Sequence, residues 1–188
     1  MKKLLVLALL GLSAMTASAE KADASKQATV DYDHATANEV NQTVTMSGNV
    51  IVTKGTLLLK AEKAIYKAAD TGAQVTLNGD GKLATFRQKR DGGPDLWVEG
   101  EAQRIEYDER TSVMKLFGKA VIRQLEGTRL TNETRSEYIS YDGLREVFVS
   151  SNDPSGASKA GGGRGRMIIA PSKPRPVTPA ANTPAGAP

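Results

Sequence analysis

The sequence contains no cysteine and only one histidine, His34, among its 188 residues. Disulfides and thiolate ligands are therefore excluded, and a histidine-rich metal site cannot form. A Ser-His-Asp arrangement needs only one histidine, but no G-x-S-x-G segment accompanies it, so we interpret His34 as a surface residue. No P-loop or dinucleotide-binding motif is present. The sequence predicts a protein that is not an enzyme and that uses no metal or cofactor.

The sequence also lacks an apolar run of the roughly 20 residues that a membrane-spanning helix requires. Its longest apolar segment, Leu4 to Leu12, follows two lysines and precedes the small-residue sequence Ala17-Ser18-Ala19. This order is typical of a cleaved secretory signal peptide. We therefore predict a signal peptide at residues 1–19 and a flexible mature N-terminus at residues 20–27.

Acidic residues are absent from Pro154 to the end of the chain, where Gly, Pro and Ala dominate. Such a composition cannot bury enough apolar surface to order itself. We expect a Gly-rich loop at about residues 152–165 and a disordered tail at residues 172–188. The formal net charge of +4 comes from the two ends, since residues 20–153 hold 18 basic and 21 acidic residues. The high pI therefore does not indicate a nucleic-acid partner.

Three segments alternate apolar and polar residues with the period of two that is typical of β-strands. Each has a glycine at its third apolar position, and each is followed by an element that ends in tyrosine. Recurrence at intervals of 20 to 50 residues indicates repeated units that stack on one another. The three glycines are Gly48, Gly79 and Gly118, and the three tyrosines are Tyr66, Tyr107 and Tyr141.

The apolar phase changes just before each tyrosine, because two small or apolar residues lie an odd number of positions apart. A strand that changes its buried face in this way needs a bulge or a corner. The pairs are Ala61 with Ala64, Ala102 with Ile105, and Ser136 with Ile139. The chain is therefore predicted to be all-β, a rolled antiparallel sheet of repeated strand units in one domain at residues 28–171.

Small residues recur at the predicted inward positions, including Gly48, Gly79, Gly118 and Ala120. They could leave room for a long-chain lipid, or they could only permit close packing of the sheet or tight bends, and the spacing does not decide between the two. The carboxylates Glu106, Asp108 and Glu109 are interpreted as a solvated face.

Four segments resemble the OstA-like periplasmic family: VTMSGNVIVTKGTLLLKAEKAIY at residues 44–66, GDGKLATF, WVEGEAQRIEY and LFGKAVIRQ. The resemblance covers roughly residues 26–171, and the Gly-rich insertion at 155–165 departs from it. It implies a twisted β-jellyroll in the periplasm that carries lipopolysaccharide between the inner and outer membranes for outer-membrane assembly. The acyl chains of lipid A would lie in an apolar trough.

The resemblance also implies head-to-tail association with further copies, with an LptC-like partner at the inner membrane and with an LptD-like partner at the outer membrane. Exposed edge strands can pair in this way. The edge residues expected to do so are Ala28, Val30 and Tyr32 near the start, and Met167, Ile168 and Ile169 near the end.

By the same resemblance, Phe86 is expected to be the main lipid contact, with Ala28 near one end of the trough. For each lining residue, plain core packing is an equal alternative, and a polymerising β-solenoid of the envelope without lipid is the alternative function. Lys54 and Arg87 are candidate contacts to lipid phosphates at the rim. The remaining lining residues are Val44, Met46, Val50, Val52, Leu57, Leu59, Leu77, Leu83, Val98, Ile105, Met114, Leu116 and Ile122.

Overall fold

The computed structural model describes residues 23–70, 72–93, 95–158 and 160–171. The all-β prediction is confirmed over these residues, which contain twelve strands in one antiparallel sheet. The predicted signal peptide and the predicted tail lie outside the described residues. No helix in the described ranges is long and apolar enough to cross a membrane. The strands are β1 (Ala28–Asp31), β2 (His34–Asn38), β3 (Thr43–Lys54), β4 (Leu57–Lys67), β5 (Gln74–Asn78), β6 (Ala84–Lys89), β7 (Leu96–Ala102), β8 (Arg104–Asp108), β9 (Val113–Glu126), β10 (Arg129–Asp142), β11 (Val147–Ser151) and β12 (Arg166–Ile169).

The sheet folds over on itself into two half-sheets, each of eight antiparallel strand segments. Half-sheet A has the order β2-β3-β4-β5-β8-β9-β10-β11. Half-sheet B has the order β1-β3-β4-β6-β7-β9-β10-β12. Four long strands, β3, β4, β9 and β10, belong to both and carry the backbone from one half-sheet into the other. The predicted rolled sheet is therefore a two-walled jellyroll.

The half-sheets join along one line, which we call the corner. In β3 the corner lies at Gly48-Asn49, where the pairing with β4 shifts between Ser47 and Val50. In β9 it lies at Gly118-Lys119, where both residues have positive φ, as Gly48 and Asn49 do. Backbone hydrogen bonds link the corner from strand to strand, because the Gln103 amide donates to the Gly118 carbonyl over 2.9 Å. A bulge of two left-handed residues turns β3 and β9 without ending them.

The predicted change of buried face before each tyrosine is confirmed. In β4, Leu57 and Leu59 are buried on one side of the corner and Ala64 on the other. In the second unit the strand ends instead, so that Ala102 closes β7 and Ile105 is buried in β8. The same positions of the repeated unit thus form one continuous corner across the sheet.

The three repeated glycines mark this corner and do not line the interior, so their predicted inward placement is wrong. A Cβ added at Gly48 would lie 2.2 Å from an Asp33 carboxylate oxygen, and one at Gly79 would lie 1.9 Å from the Lys82 carbonyl oxygen. Glycine is needed because the backbone turns and is approached closely there. The space at these positions serves the chain itself.

Three of the turns that connect strands at the far side of half-sheet A share one design. Each begins with an Asn or Asp whose side chain accepts a hydrogen bond from the backbone amide three residues later, and each ends with a residue of positive φ. Asx side chains favour such turns because they substitute for a backbone acceptor. The first residues are Asn38, Asp108 and Asp142, and the last are Gln42, Ser112 and Glu146.

The hydrophobic core fills the space between the two half-sheets. Leu77, Ile105 and Leu116 of half-sheet A and Leu59 and Val98 of half-sheet B are among the fully buried side chains. Burial of this kind stabilises the fold by about 25 cal/mol for each Å² of apolar surface removed from water.

Candidate functional site

Most of the predicted lining residues lie in this one interior. Val44 is partly buried and packs against the core. Leu83 is half-buried and lies outside the core cluster, so its predicted inward position is wrong. The turn at Asp80 and Gly81, both with positive φ, shifts the phase, so that Ala84 faces inward instead. The core contains Met46, Val50, Val52, Leu57, Leu59, Leu77, Phe86, Val98, Ile105, Met114, Leu116 and Ile122.

Phe86 occupies the centre of the interior and contacts both walls. Its ring stacks on Tyr141 of half-sheet A with 6.3 Å between the centroids. A Cβ at Gly100, which pairs with Phe86 in half-sheet B, would lie 2.2 Å from the Phe86 ring and 3.0 Å from Leu116. Glycine at position 100 therefore makes room for an aromatic side chain, and the two walls are in direct contact at this point.

The sequence reasoning missed several residues of this interior. Ile139 and Tyr141 of β10 are fully buried, and Tyr107 of β8 is 9% exposed. The signal was available, because these residues belong to the repeated tyrosine elements and lie at the inward phase after the corner. Strand β2 was missed as well, since its sequence HATAN is polar and exposed. His34 itself is exposed on β2, as predicted, with its ring 3.4 Å from the Thr36 hydroxyl.

Opposite the corner, the strand-connecting turns of the two half-sheets meet along a line that we call the seam. Lys54, at the end of β3 in half-sheet B, forms an ion pair with Glu109 of half-sheet A. Arg90 of half-sheet B forms a second ion pair with Glu146 of half-sheet A, at 2.5 Å. The other oxygen of Glu146 accepts a hydrogen bond from the Asp91 amide. Two carboxylates from one wall therefore bind two cations from the other.

The first of these ion pairs is shielded from water. Lys54 is only 6% exposed. Its hydrogen bond to Glu109, with a further one from the Ala73 amide, holds the pKa of the Glu109 carboxyl below its usual range, although partial burial opposes this. The interpretation of Glu109 as part of a solvated face is thus wrong, since the carboxylate is committed to the seam.

Two further groups complete the seam. Burial raises the pKa of Tyr107 to about 12, and the nearby carboxylates of Glu109 and Asp23 act in the same direction. Asp23 is 4% exposed and accepts hydrogen bonds from the Thr56 amide and hydroxyl, at 2.8 and 2.6 Å. The N-terminal residue of the described chain therefore packs over the end of the seam.

Each half-sheet has an exposed strand at both ends. Among the residues that the structure describes, β1 and β2 pair only with β3, and β11 and β12 pair only with β10. Their exposed apolar side chains include Val147, Val149, Met167 and Ile169. Tyr32, predicted to lie in the first edge strand, is also exposed but lies between β1 and β2. Ala28 is exposed on β1, Val30 is half-buried beside it, and Ile168 is 42% exposed on β12.

The geometry defines a class of protein: a two-walled β-jellyroll with an apolar interior and unpaired strands at both ends. The family described as "LptA/(LptD N-terminal domain) LPS transport protein" matches residues 29–147. The chain belongs to this family.

Similar proteins agree with this assignment. The lipopolysaccharide export system protein LptA of Escherichia coli K12 is 32% identical over 146 residues, which are 73% of this chain and 77% of that protein. LptA of Haemophilus influenzae is 27% identical over 155 residues, covering 79% and 89% of the two chains. The crystal structure of LptH from Pseudomonas aeruginosa, described as an LptA-homologous periplasmic component of the lipopolysaccharide transport device, matches with a TM-score of 0.69. That match has 22% identity and covers 79% of this chain and 99% of LptH, and it supports the fold.

Proposed function

We propose that the protein is a periplasmic carrier of lipopolysaccharide that shields the acyl chains of lipid A between its two half-sheets. The observation that carries this proposal is the apolar interior, a single cluster of packed apolar side chains that reaches from Val30 in β1 to Phe148 in β11. Membership of a lipopolysaccharide transport family supplies the cargo.

The energetic need for such an interior is large. Each methylene group removed from water is worth about 0.8 kcal/mol, so a twelve-carbon acyl chain contributes on the order of 10 kcal/mol. A lipid with several such chains does not cross an aqueous compartment without a continuous apolar surface. The outward faces do not offer one, because ion pairs such as Arg87 with Glu99 and Arg123 with Glu101 occupy them. Arg87 is therefore already paired on the outer face.

The two exposed ends support end-to-end association as part of the same proposal. Strands added to both β1 and β2 at one end, or to both β11 and β12 at the other, extend the two half-sheets and continue the interior. Head-to-tail contacts of this kind do not close and give filaments. We infer that further copies, an LptC-like partner and an LptD-like partner use these edges, through Ala28, Val30 and Tyr32 or through Met167, Ile168 and Ile169.

A photo-crosslinking amino acid at Phe86 tests the lipid site. The expected result is capture of lipopolysaccharide at this inward position and none at the outward, exposed Lys60 of the adjacent strand β4. Equal labelling at both positions would contradict an internal site. Filaments that carry no lipid by mass spectrometry would favour the structural β-solenoid instead.

Single cysteines test the edges, because the chain has no cysteine of its own. A cysteine at Thr29 and one at Ile168, mixed as separate variants, are expected to form a disulfide-linked dimer. Matched cysteines at Lys60 and Thr85 within half-sheet B give no such product if the edges are the contact. Equal cross-linking of both pairs would contradict end-to-end pairing.

A further inference from the structure

We propose that the two half-sheets part along the seam to admit an acyl chain from the side, and that the ion pairs Lys54–Glu109 and Arg90–Glu146 hold the seam closed until then. This inference rests on the proposed function and concerns how the cargo reaches the interior.

The interior is filled with side chains, so the half-sheets have to move before an acyl chain can enter. Leu77, Ile105, Leu116 and Val98 are fully buried by other side chains, and the Phe86 ring fills the space beside Gly100. Protein interiors are close-packed, so an acyl chain cannot be added while the walls remain in contact. The half-sheets must separate to make space between them.

The corner cannot supply this separation. The backbones of β3, β4, β9 and β10 pass through it without interruption, and backbone hydrogen bonds join it across neighbouring strands, as from Gly79 to Gln103 at 3.1 Å. Parting there would break covalent continuity. The corner is instead suited to be a hinge, because its turns are already concentrated in a few residues of positive φ, such as Gly48 and Gly118.

The half-sheets can separate at the seam, because among the described residues only side chains and one backbone amide cross this line. The two ion pairs and the hydrogen bond from the Asp91 amide to Glu146 connect the half-sheets there, and none of these contacts is a pairing of β-strands. The polar head of the lipid also has to stay in water while its acyl chains lie inside. Since the corner is closed by backbone, the seam is the opening through which the head projects.

One of the seam residues is held in an unfavourable conformation. Glu146 has φ +55°, in the left-handed region that costs a residue with a Cβ free energy. At the equivalent turn position Gln42 is exposed, whereas Glu146 is half-buried and binds both Arg90 and the Asp91 amide. The positive φ belongs to the shared turn, as at Gln42 and Ser112, but at Glu146 the strained residue also bridges the two half-sheets.

The test is the rate at which fluorescent lipid A transfers from detergent micelles to the full-length protein. The double variant Glu109→Gln with Glu146→Gln removes both carboxylate charges and is expected to capture lipid about tenfold faster than the wild type. Glu99→Gln is the matched control, because Glu99 pairs with Arg87 inside half-sheet B and does not cross the seam. An unchanged rate in the double variant, or the same increase in the control, would overturn the proposal.

A covalent cross-link across the seam has the opposite effect, because it prevents the half-sheets from separating there. Cysteines at Lys54 and Glu109 bridged by a flexible bis-methanethiosulfonate reagent are expected to abolish capture, and reduction is expected to restore it. The same bridge between cysteines at Arg87 and Glu99 leaves capture unchanged. Capture that persists through a bridged seam would overturn side access. Failure of the wild type to take up lipid A at all would refute the proposed function itself, which is a separate result.

Discussion

The corner and the seam connect the same two half-sheets by opposite means. At the corner, four strands run through and the residues are selected for backbone geometry, as with Gly79, where even a Cβ would meet a carbonyl oxygen. At the seam, long charged side chains such as Lys54 and Glu109 make the contacts, and their ends can separate without disturbing a strand. One line of the molecule is therefore fixed by covalent structure and the other by interactions of modest strength.

The difference shows how a closed β-structure can still open. A barrel closed by strand pairing all the way round has to break backbone hydrogen bonds between strands to admit a ligand. Within the described residues, this sheet is closed on one side by side-chain contacts and one backbone amide, without strand pairing. Partly exposed ion pairs contribute roughly 1 kcal/mol or less each, so the seam adds modestly to the apolar packing that holds the two half-sheets together.

The largest effect is expected at the corner. Gly79→Ala places a Cβ 1.9 Å from the Lys82 carbonyl oxygen, which has to move. We expect the free energy of unfolding to fall by at least about 3 kcal/mol, measured by chemical denaturation. Gly81→Ala is the control, because no atom lies within 4 Å of its Cβ and only the positive φ is unfavourable, at about 1 kcal/mol. Equal losses would show that close approach does not matter at the corner.

The next effect is expected at the shielded ion pair of the seam. Glu109→Gln leaves the buried Lys54 ammonium without a carboxylate, and we expect a loss of about 2 kcal/mol in the free energy of unfolding. Adding Lys54→Met removes the stranded charge and is expected to recover at least half of that loss. A double variant that is less stable than the single variant would contradict the account of Lys54 as a buried charge that depends on Glu109.

A smaller effect is expected for the second ion pair, and the repeated turns provide its control. Gln42→Gly relieves a positive φ at an exposed turn and is expected to stabilise by about 0.5 kcal/mol. Glu146→Gly relieves the same strain but loses the contacts to Arg90 and the Asp91 amide, so it is expected to destabilise by about 0.5 kcal/mol. Equal stabilisation by both, in thermal or chemical unfolding, would mean that Glu146 contributes nothing to the seam.

The smallest effect is expected in the dependence of stability on pH. Because Lys54 lowers the pKa of Glu109 in the folded protein, the stabilisation by this carboxylate is present above its ordinary pKa of 4.5 and is lost as the pH falls through the lower folded value. Lys54→Met is expected to raise the pKa of Glu109, measured by NMR titration of its side-chain carbon. A pKa that does not rise would show that Lys54 is not its main partner.

The sequence predicted the corner better than the seam. Glycines in alternating strands and a change of phase before Tyr66, Tyr107 and Tyr141 are local patterns, so the repeated bend could be found without coordinates. The pairing of Lys54 with Glu109 joins residues 55 positions apart across two walls, and no local pattern marks it. Among the apolar side chains predicted to line the interior, the inward phase was misjudged only at Leu83, because the turn at Asp80 and Gly81 inserts a shift that alternation alone does not reveal.

The number of strands in each half-sheet also sets the length of the interior. Neighbouring strands lie about 4.8 Å apart, so eight of them span about 34 Å along the corner. An acyl chain that travels along the interior moves across the strands and not along them, and it meets a new row of side chains at each strand. The strands therefore form a regular series of steps along the interior. Joining copies end to end adds strands to this series without changing the spacing between them.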